Sequence, residues 1–107
     1  MAVIARFTMD IIADKRYELY QHAKKNPNPL HSMGFPKPQV LISGIGNAES
    51  YIEMNYRFDS LEALGVVWAR MYEAPVRMWR RSLAPFTVAG SARWQVLTIK
   101  EDDDDGI

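Results

Sequence analysis

The segment from Tyr51 to Phe58 constrains the fold most, because its apolar and polar side chains alternate strictly. One face carries Ile52, Met54, Tyr56 and Phe58, and the other carries Tyr51, Glu53, Asn55 and Arg57. A two-residue period is typical of a β-strand with one buried face. The sequence therefore predicts a strand that packs on a core with one face and presents polar groups on the other.

Three further segments have the patterns of strands. Residues 3–9 alternate, with apolar side chains at the odd positions, and residues 40–45 form a short β-rich apolar run before the turn signal Gly46-Asn47. Residues 93–100 also alternate, but their phase stays open. Either Trp94, Val96 and Thr98 or Arg93, Gln95, Leu97 and Ile99 share a side with Glu53.

A first helix is predicted over residues 12–25, where apolar and polar side chains fall on opposite sides. Asp10 or Asp14 is its candidate N-cap, because a carboxylate accepts hydrogen bonds from free amides of the first turn. The segment Asn26-Pro27-Asn28-Pro29 ends it, since proline cannot extend a helix. A Pro-rich loop then continues to about Pro38.

A second helix is predicted to follow the N-cap residues Asp59 and Ser60. Its expected core stripe has helical spacing and consists of Leu61, Leu64, Trp68, Met71 and Tyr72. Pro75 suits the first turn of a helix, so a break and a restart through about Leu83 are expected.

The element order is strand, helix, strand, strand, helix, strand. This order predicts an α+β protein with a ferredoxin-like βαββαβ plait, in which both helices cover one face of an antiparallel sheet. Residues 1–100 are enough for this one domain. Residues 101–107 begin with five adjacent carboxylates and predict a disordered acidic tail.

Composition excludes several function classes. The chain has no cysteine, which excludes disulfides, thiolate catalysis and cysteine zinc sites. Its two histidines lack a metal-ligand spacing, so neither a metal nor a cofactor is expected. Residues 1–100 carry a net charge of +5 without a basic stripe, and no apolar run approaches the ~20 residues of a membrane span. We therefore expect a soluble cytoplasmic protein without a nucleic-acid or membrane partner.

The predicted sheet has one face without helices, and its mixed side chains favour a homodimer over open solvent. Two such faces would enclose Arg6, Glu53, Asn55 and Arg57. Enclosed charges must pair with each other or bind a ligand. One interpretation is an interface network of Arg6, Glu53 and Arg57. The other is a polar cavity for a small anionic or carbonyl ligand, with Glu53 as a base.

Residues 56–85 resemble the NIPSNAP-like branch of the dimeric α/β-barrel superfamily. The residues that carry the resemblance are Tyr56-Arg57-Phe58-Asp59-Ser60-Leu61-Glu62-Ala63-Leu64, Trp68-Ala69-Arg70-Met71-Tyr72, Pro75 and Trp79-Arg80-Arg81-Ser82-Leu83-Ala84-Pro85. The resemblance implies a homodimer with cavities for small molecules, and relatives that include quinone-forming monooxygenases and haem-degrading enzymes. Ala74 stands where the family usually has an acid, and the Pro-rich loop is longer than expected.

The candidate site residues are His31 and Glu53 for catalysis, and Arg6, Asn55, Arg57 and Trp79 for substrate binding. His31 lies in a loop and is also the candidate axial ligand of a haem. His22 is expected to pair with Glu18 on the helix surface.

Arg77, Arg80 and Arg81 are interpreted as a solvated helix end, where cations suit the helix dipole.

Three hypotheses remain open. The first is binding or conversion of a small aromatic or carbonyl compound, with cofactor-independent oxygenation or isomerisation as the reaction. The alternative is a non-catalytic homodimeric binding or assembly module. The third is haem binding through His31.

Overall fold

One antiparallel sheet organises the chain, with strand order β2-β3-β1-β4. The computed structural model describes residues 1–42 and 51–100. Its strands are β1 (Val3–Asp10), β2 (Gln39–Ile42), β3 (Tyr51–Phe58) and β4 (Arg93–Thr98). Its α-helices are α1 (Arg16–Lys25), α2 (Leu61–Trp68) and α3 (Ala74–Ser82), with 3-10 turns at Ala69–Tyr72 and Ala84–Phe86. The predicted ferredoxin-like α+β fold is confirmed.

The core lies between the helices and one face of the sheet. The apolar side chains that were predicted to face the core are buried on both β1 and β3, but burial does not alternate along β3, because Glu53 and Asn55 are buried as well. Their buried apolar side chains are Val3, Ala5, Phe7, Met9, Ile52, Met54, Tyr56 and Phe58. The core packs on the helix side of the sheet. We call the opposite face, which carries Arg6, Glu53 and Asn55, the open face.

The phase of β4, which the sequence left open, is decided by Trp94. Its ring packs on the buried Phe7 with 5.0 Å between centroids, so Trp94 faces the helix side. Arg93, Gln95 and Leu97 therefore lie on the open face.

The first helix begins four residues later than predicted, at Arg16. The N-cap position is Lys15, and no side chain caps it, so the prediction of an aspartate cap is wrong. The chain stays extended beyond β1 because Ile12 N donates to Phe86 O at 2.9 Å and Ile11 bridges Thr87. These long-range hydrogen bonds occupy the backbone that the helix would have used.

The second predicted helix is confirmed in its cap and its break. Ser60 Oγ accepts from Ala63 N at 3.1 Å, and α3 begins at Ala74 with Pro75 in its first turn. The expected core stripe is wrong at both ends, since Leu61 and Tyr72 are exposed. The 3-10 turn before α3 has a three-residue period and rotates Tyr72 away from the core. Leu61 borders an open groove.

The Pro-rich loop contributes to the core. Phe35 is buried and packs edge-on against Tyr56, with 5.2 Å between ring centroids. Gly34 adopts a positive φ of 114°, and a Cβ there would lie 2.9 Å from Val67 Cγ1. The loop is therefore held close to α2 at a position that favours glycine.

The predicted strand end at 43–45, the turn at Gly46-Asn47 and the acidic tail at 101–107 lie outside the described residues. Within the described ranges, no helix is long and apolar enough to cross a membrane.

Candidate functional site

Three of the predicted site residues meet on the open face. The β1–β3 register places Arg6 opposite Asn55 and Thr8 opposite Glu53. Arg6 Nε donates to Asn55 Oδ1 at 2.9 Å and lies 3.3 Å from Glu53 Oε2. Two adjacent central strands thus bring together groups that are nearly 50 residues apart in the chain.

Both oxygens of the Glu53 carboxylate have hydrogen-bond donors. Tyr51 Oη donates to Oε1 at 2.6 Å, and Asn55 Nδ2 donates to Oε2 at 2.8 Å. These hydrogen bonds, that of Tyr51 first, hold the pKa of Glu53 below its usual value, and the nearby Arg6 charge acts in the same direction. An efficient general base has a pKa near the working pH. The geometry therefore favours a structural role for Glu53.

Arg6, Tyr51, Glu53 and Asn55 form the Glu53 cluster. Tyr51 is the member of this cluster to which the sequence analysis gave no role. The same hydrogen bond to Glu53 raises the pKa of the Tyr51 phenol. Its position two residues before Glu53 on one strand face was the available signal.

Arg57 shares the open face but lies at its margin, opposite Ile4. It is exposed, and among residues 1–42 and 51–100 no hydrogen bond or ion pair joins it to Glu53.

A cavity of about 230 Å³ lies on the open face beside Arg6. It is bordered by Arg6, Thr8, Asp10, Tyr51, Ser91, Arg93 and Gln95.

His31 and Trp79 lie away from the Glu53 cluster. His31 is exposed in the Pro-rich loop, where its Nδ1 lies 2.8 Å from the carbonyl oxygen of Phe35. Since a carbonyl only accepts, Nδ1 carries the proton. Trp79 is on α3 and packs against Phe7 on the helix side, with 6.0 Å between centroids. In the part of the chain that the structure describes, no three His, Asp or Glu side chains gather as metal ligands.

His22 joins α1 to the end of α3. Its Nε2 lies 2.9 Å from Ser82 Oγ, and its ring packs on Phe86 with 5.1 Å between centroids. The predicted pair with Glu18 is wrong, because the imidazole contacts Ser82 through Nε2, and its Nδ1 lies 3.3 Å from Asn26 Nδ2 at the end of α1.

A second cavity, the helix-side cavity, has a volume of about 270 Å³ and includes Trp79 in its wall. It is bordered by Met9, Leu19, Tyr20, Ala23, Asn28, Val40, Ile42, Ile52, Met54, Trp79 and Leu83. Nearly all of these side chains are apolar. Asn28 Nδ2 donates to Tyr56 Oη at 2.7 Å and lies 3.5 Å from Met54 Sδ. The cavity suits an apolar molecule with one hydrogen-bond acceptor.

No protein-family profile matches the chain, and no curated protein matches it. Solved structures do. An uncharacterized NIPSNAP-like domain protein from Burkholderia xenovorans is 12% identical with a TM-score of 0.74, covering 97% of this chain and 90% of that one. A NIPSNAP family protein from Agrobacterium tumefaciens is 12% identical with a TM-score of 0.74, covering 95% and 96%.

A putative antibiotic biosynthesis monooxygenase from Bordetella bronchiseptica is 8% identical with a TM-score of 0.69, covering 94% of this chain and 98% of that one. At these identities the likeness establishes the fold. The chain therefore has the ferredoxin-like α+β fold of the NIPSNAP-like proteins, as the resemblance of residues 56–85 predicted.

Proposed function

We propose that this chain binds a small aromatic molecule in the helix-side cavity. The observation that carries the proposal is the cavity itself, which has a volume of about 270 Å³ and mostly apolar walls. This volume is near the lower end of ligand pockets, roughly 300 Å³. The half-buried Trp79 offers an aromatic ring to the cavity, and aromatic pairs favour offset or edge-on contacts.

Asn28 is the polar group that would orient such a ligand. One hydrogen of its Nδ2 is used by Tyr56 Oη, and the acceptor of the other is the weak Met54 Sδ, at 3.5 Å. A ligand carbonyl oxygen is a stronger acceptor than a thioether. The cavity therefore supports an aromatic ligand that carries a carbonyl group, which falls within the small aromatic or carbonyl compounds that the sequence predicted.

Structural neighbours support a small organic ligand. Those from Bordetella bronchiseptica and Nitrosomonas europaea are described as putative antibiotic biosynthesis monooxygenases. If the chain converts its ligand, cofactor-independent oxygenation is the reaction that the resemblance implies. In this proposal Trp79 contacts the ligand, while Arg6, Glu53 and Asn55 stabilise the open face.

A substitution that fills the cavity tests the proposal. Ala23 is exposed at the cavity wall, so Ala23→Leu adds volume there without disturbing the core. We expect 1,4-naphthoquinone to shift the amide NMR signals of Ala23 and Asn28, and Ala23→Leu to weaken its affinity about tenfold, or about 1.4 kcal/mol.

The matched control is Ala63→Leu, at an exposed position of α2 outside the cavity. It is expected to bind naphthoquinone as the natural sequence does. Equal affinity of both leucine variants, or no shift at Ala23 and Asn28, would contradict binding in the helix-side cavity.

We also propose that two copies pack through their open faces. The polar groups at the centre of the open face, in the Glu53 cluster, bind one another. On the same face, Leu41 and Leu97 are 45% and 37% exposed. An interface that buries apolar side chains around paired charges is favourable, since an unpaired buried charge is costly. The Glu53 cluster is suited to such burial because both oxygens of its carboxylate already have hydrogen-bond donors.

Native mass spectrometry of two arginine variants checks this assembly. We expect a two-chain mass for the natural sequence and a single-chain mass for Leu97→Arg, which places a charge within the proposed interface. Val96→Arg is the matched control, because Val96 is exposed on the other side of the same strand. A single-chain mass for the natural sequence, or the same mass for both variants, would rule out this interface.

A further inference from the structure

A third cavity lies between α3 and the residues that precede β4. It has a volume of about 350 Å³, and we call it the arginine cavity. Its cationic border is formed by Arg77, Arg80 and Arg81, and its other walls include Phe7, Met9 and Leu83.

The favourable interaction of cations with a helix end accounts for two of these three arginines. Arg80 and Arg81 lie in the last turn of α3, where the helix dipole favours cations. Arg77 lies a turn earlier, at three- and four-residue spacing from the other two, and like charges at this spacing repel. Within residues 1–42 and 51–100, the ion pairs are Arg6–Glu53 and Arg70–Glu73, so no carboxylate compensates these three charges.

The apolar side of the cavity is built from core residues. Phe7, Met9 and Leu83 line the cavity and are almost fully buried, so they form its floor. The Arg80 guanidinium carbon lies 5.7 Å from the centroid of the Phe7 ring. A guanidinium is weakly hydrated and stacks on aromatic rings, so charge and apolar surface are adjacent here.

We infer that the arginine cavity binds a carboxylate attached to an apolar chain. Guanidinium groups match a carboxylate with paired hydrogen bonds, and the apolar chain would lie on the floor that Phe7, Met9 and Leu83 form. Met9 and Leu83 also border the helix-side cavity, but the arginines do not. The inference is therefore independent of the proposed function, and the two cavities select different ligands.

Octanoate and its neutral counterpart octanamide separate these cavities by NMR. We expect octanoate to shift the amide signals of Thr87 and Ala92, which border the arginine cavity, more than those of Ala23 and Asn28. Octanamide is expected to bind the arginine cavity at least about tenfold more weakly. Equal affinity for the two probes, or octanoate shifts confined to Ala23 and Asn28, would overturn the inference.

Charge removal completes the test. Arg80→Gln and Arg77→Gln are each expected to weaken octanoate binding about tenfold, whereas Lys24→Gln removes an exposed charge from α1 and leaves binding unchanged. These positions are exposed, so the variants are expected to keep the native amide spectrum. An unchanged affinity in both arginine variants would overturn the inference. Inorganic phosphate that shifts Thr87 and Ala92 as strongly as octanoate would also overturn it, because phosphate lacks an apolar chain.

Discussion

Replacement of Phe7 by alanine is expected to lower the free energy of unfolding by about 3–5 kcal/mol. The ring is buried at the centre of the sheet and packs against Trp79 and Trp94, with centroids 6.0 and 5.0 Å away. Its removal leaves a void between two aromatic side chains that their own packing keeps in place. A domain of ordinary stability has about 5–15 kcal/mol in total, so the loss is a large share.

Denaturant unfolding, followed by tryptophan fluorescence, measures this loss. Phe86→Ala is the matched control, because Phe86 is only half-buried and packs against His22 rather than against the central strand. Its expected loss is smaller. A loss below about 1 kcal/mol in Phe7→Ala would show that the site collapses around the missing ring, contrary to the packing described here.

Alkaline pH is expected to destabilise the fold through Tyr56. Burial raises the pKa of Tyr56 to about 12, although the hydrogen bond from Asn28 acts in the opposite direction. The unfolded chain releases this proton near pH 10, so the fold holds a proton that the unfolded state has lost. The contribution of Tyr56 is complete below pH 10 and is lost as pH rises to about 12, amounting to about 2–3 kcal/mol.

Unfolding free energies at pH 8, 10 and 11.5 in the natural sequence and in Tyr56→Phe check this expectation. The phenylalanine variant should be less stable at pH 8, by about 1–3 kcal/mol, because Asn28 loses its acceptor. It should also show a shallower alkaline decline. The pKa of Tyr51 is raised too, so its share of the decline remains in both proteins. Parallel declines would contradict the assignment to Tyr56.

The faces of β1 and β3 could be predicted because burial on one side imposes a strict two-residue period. The phase of β4 could not, because Val96, Leu97 and Ile99 are apolar on both sides of the strand. The packing of Trp94 and the register with β1 distinguish them. The start of α1 was also missed, since the backbone of Ile12 bonds to Phe86, a partner far away in the sequence.

The Glu53 cluster could be predicted in part from the two-residue alternation of β1 and β3. Arg6, Glu53 and Asn55 lie on strand positions whose side is fixed by alternation, and they do meet. The places of His31 and Trp79 depend on a loop and on the packing of α3, which local pattern does not determine. The arginine cavity was missed because Phe7 and Met9 in its wall come from β1, about 70 residues before the arginines.

The central place of β1 has a consequence for how the chain folds. This first strand pairs with β3 on one side and with β4 on the other, and its neighbours in the sequence supply neither partner. During synthesis β1 has no pairing partner until residues 51–58 have been made. Its second edge then stays unpaired until residues 93–98 follow. Pairings between such distant segments slow folding, because the loop must close before the contacts form. The same edge is a template for pairing with other chains during that interval.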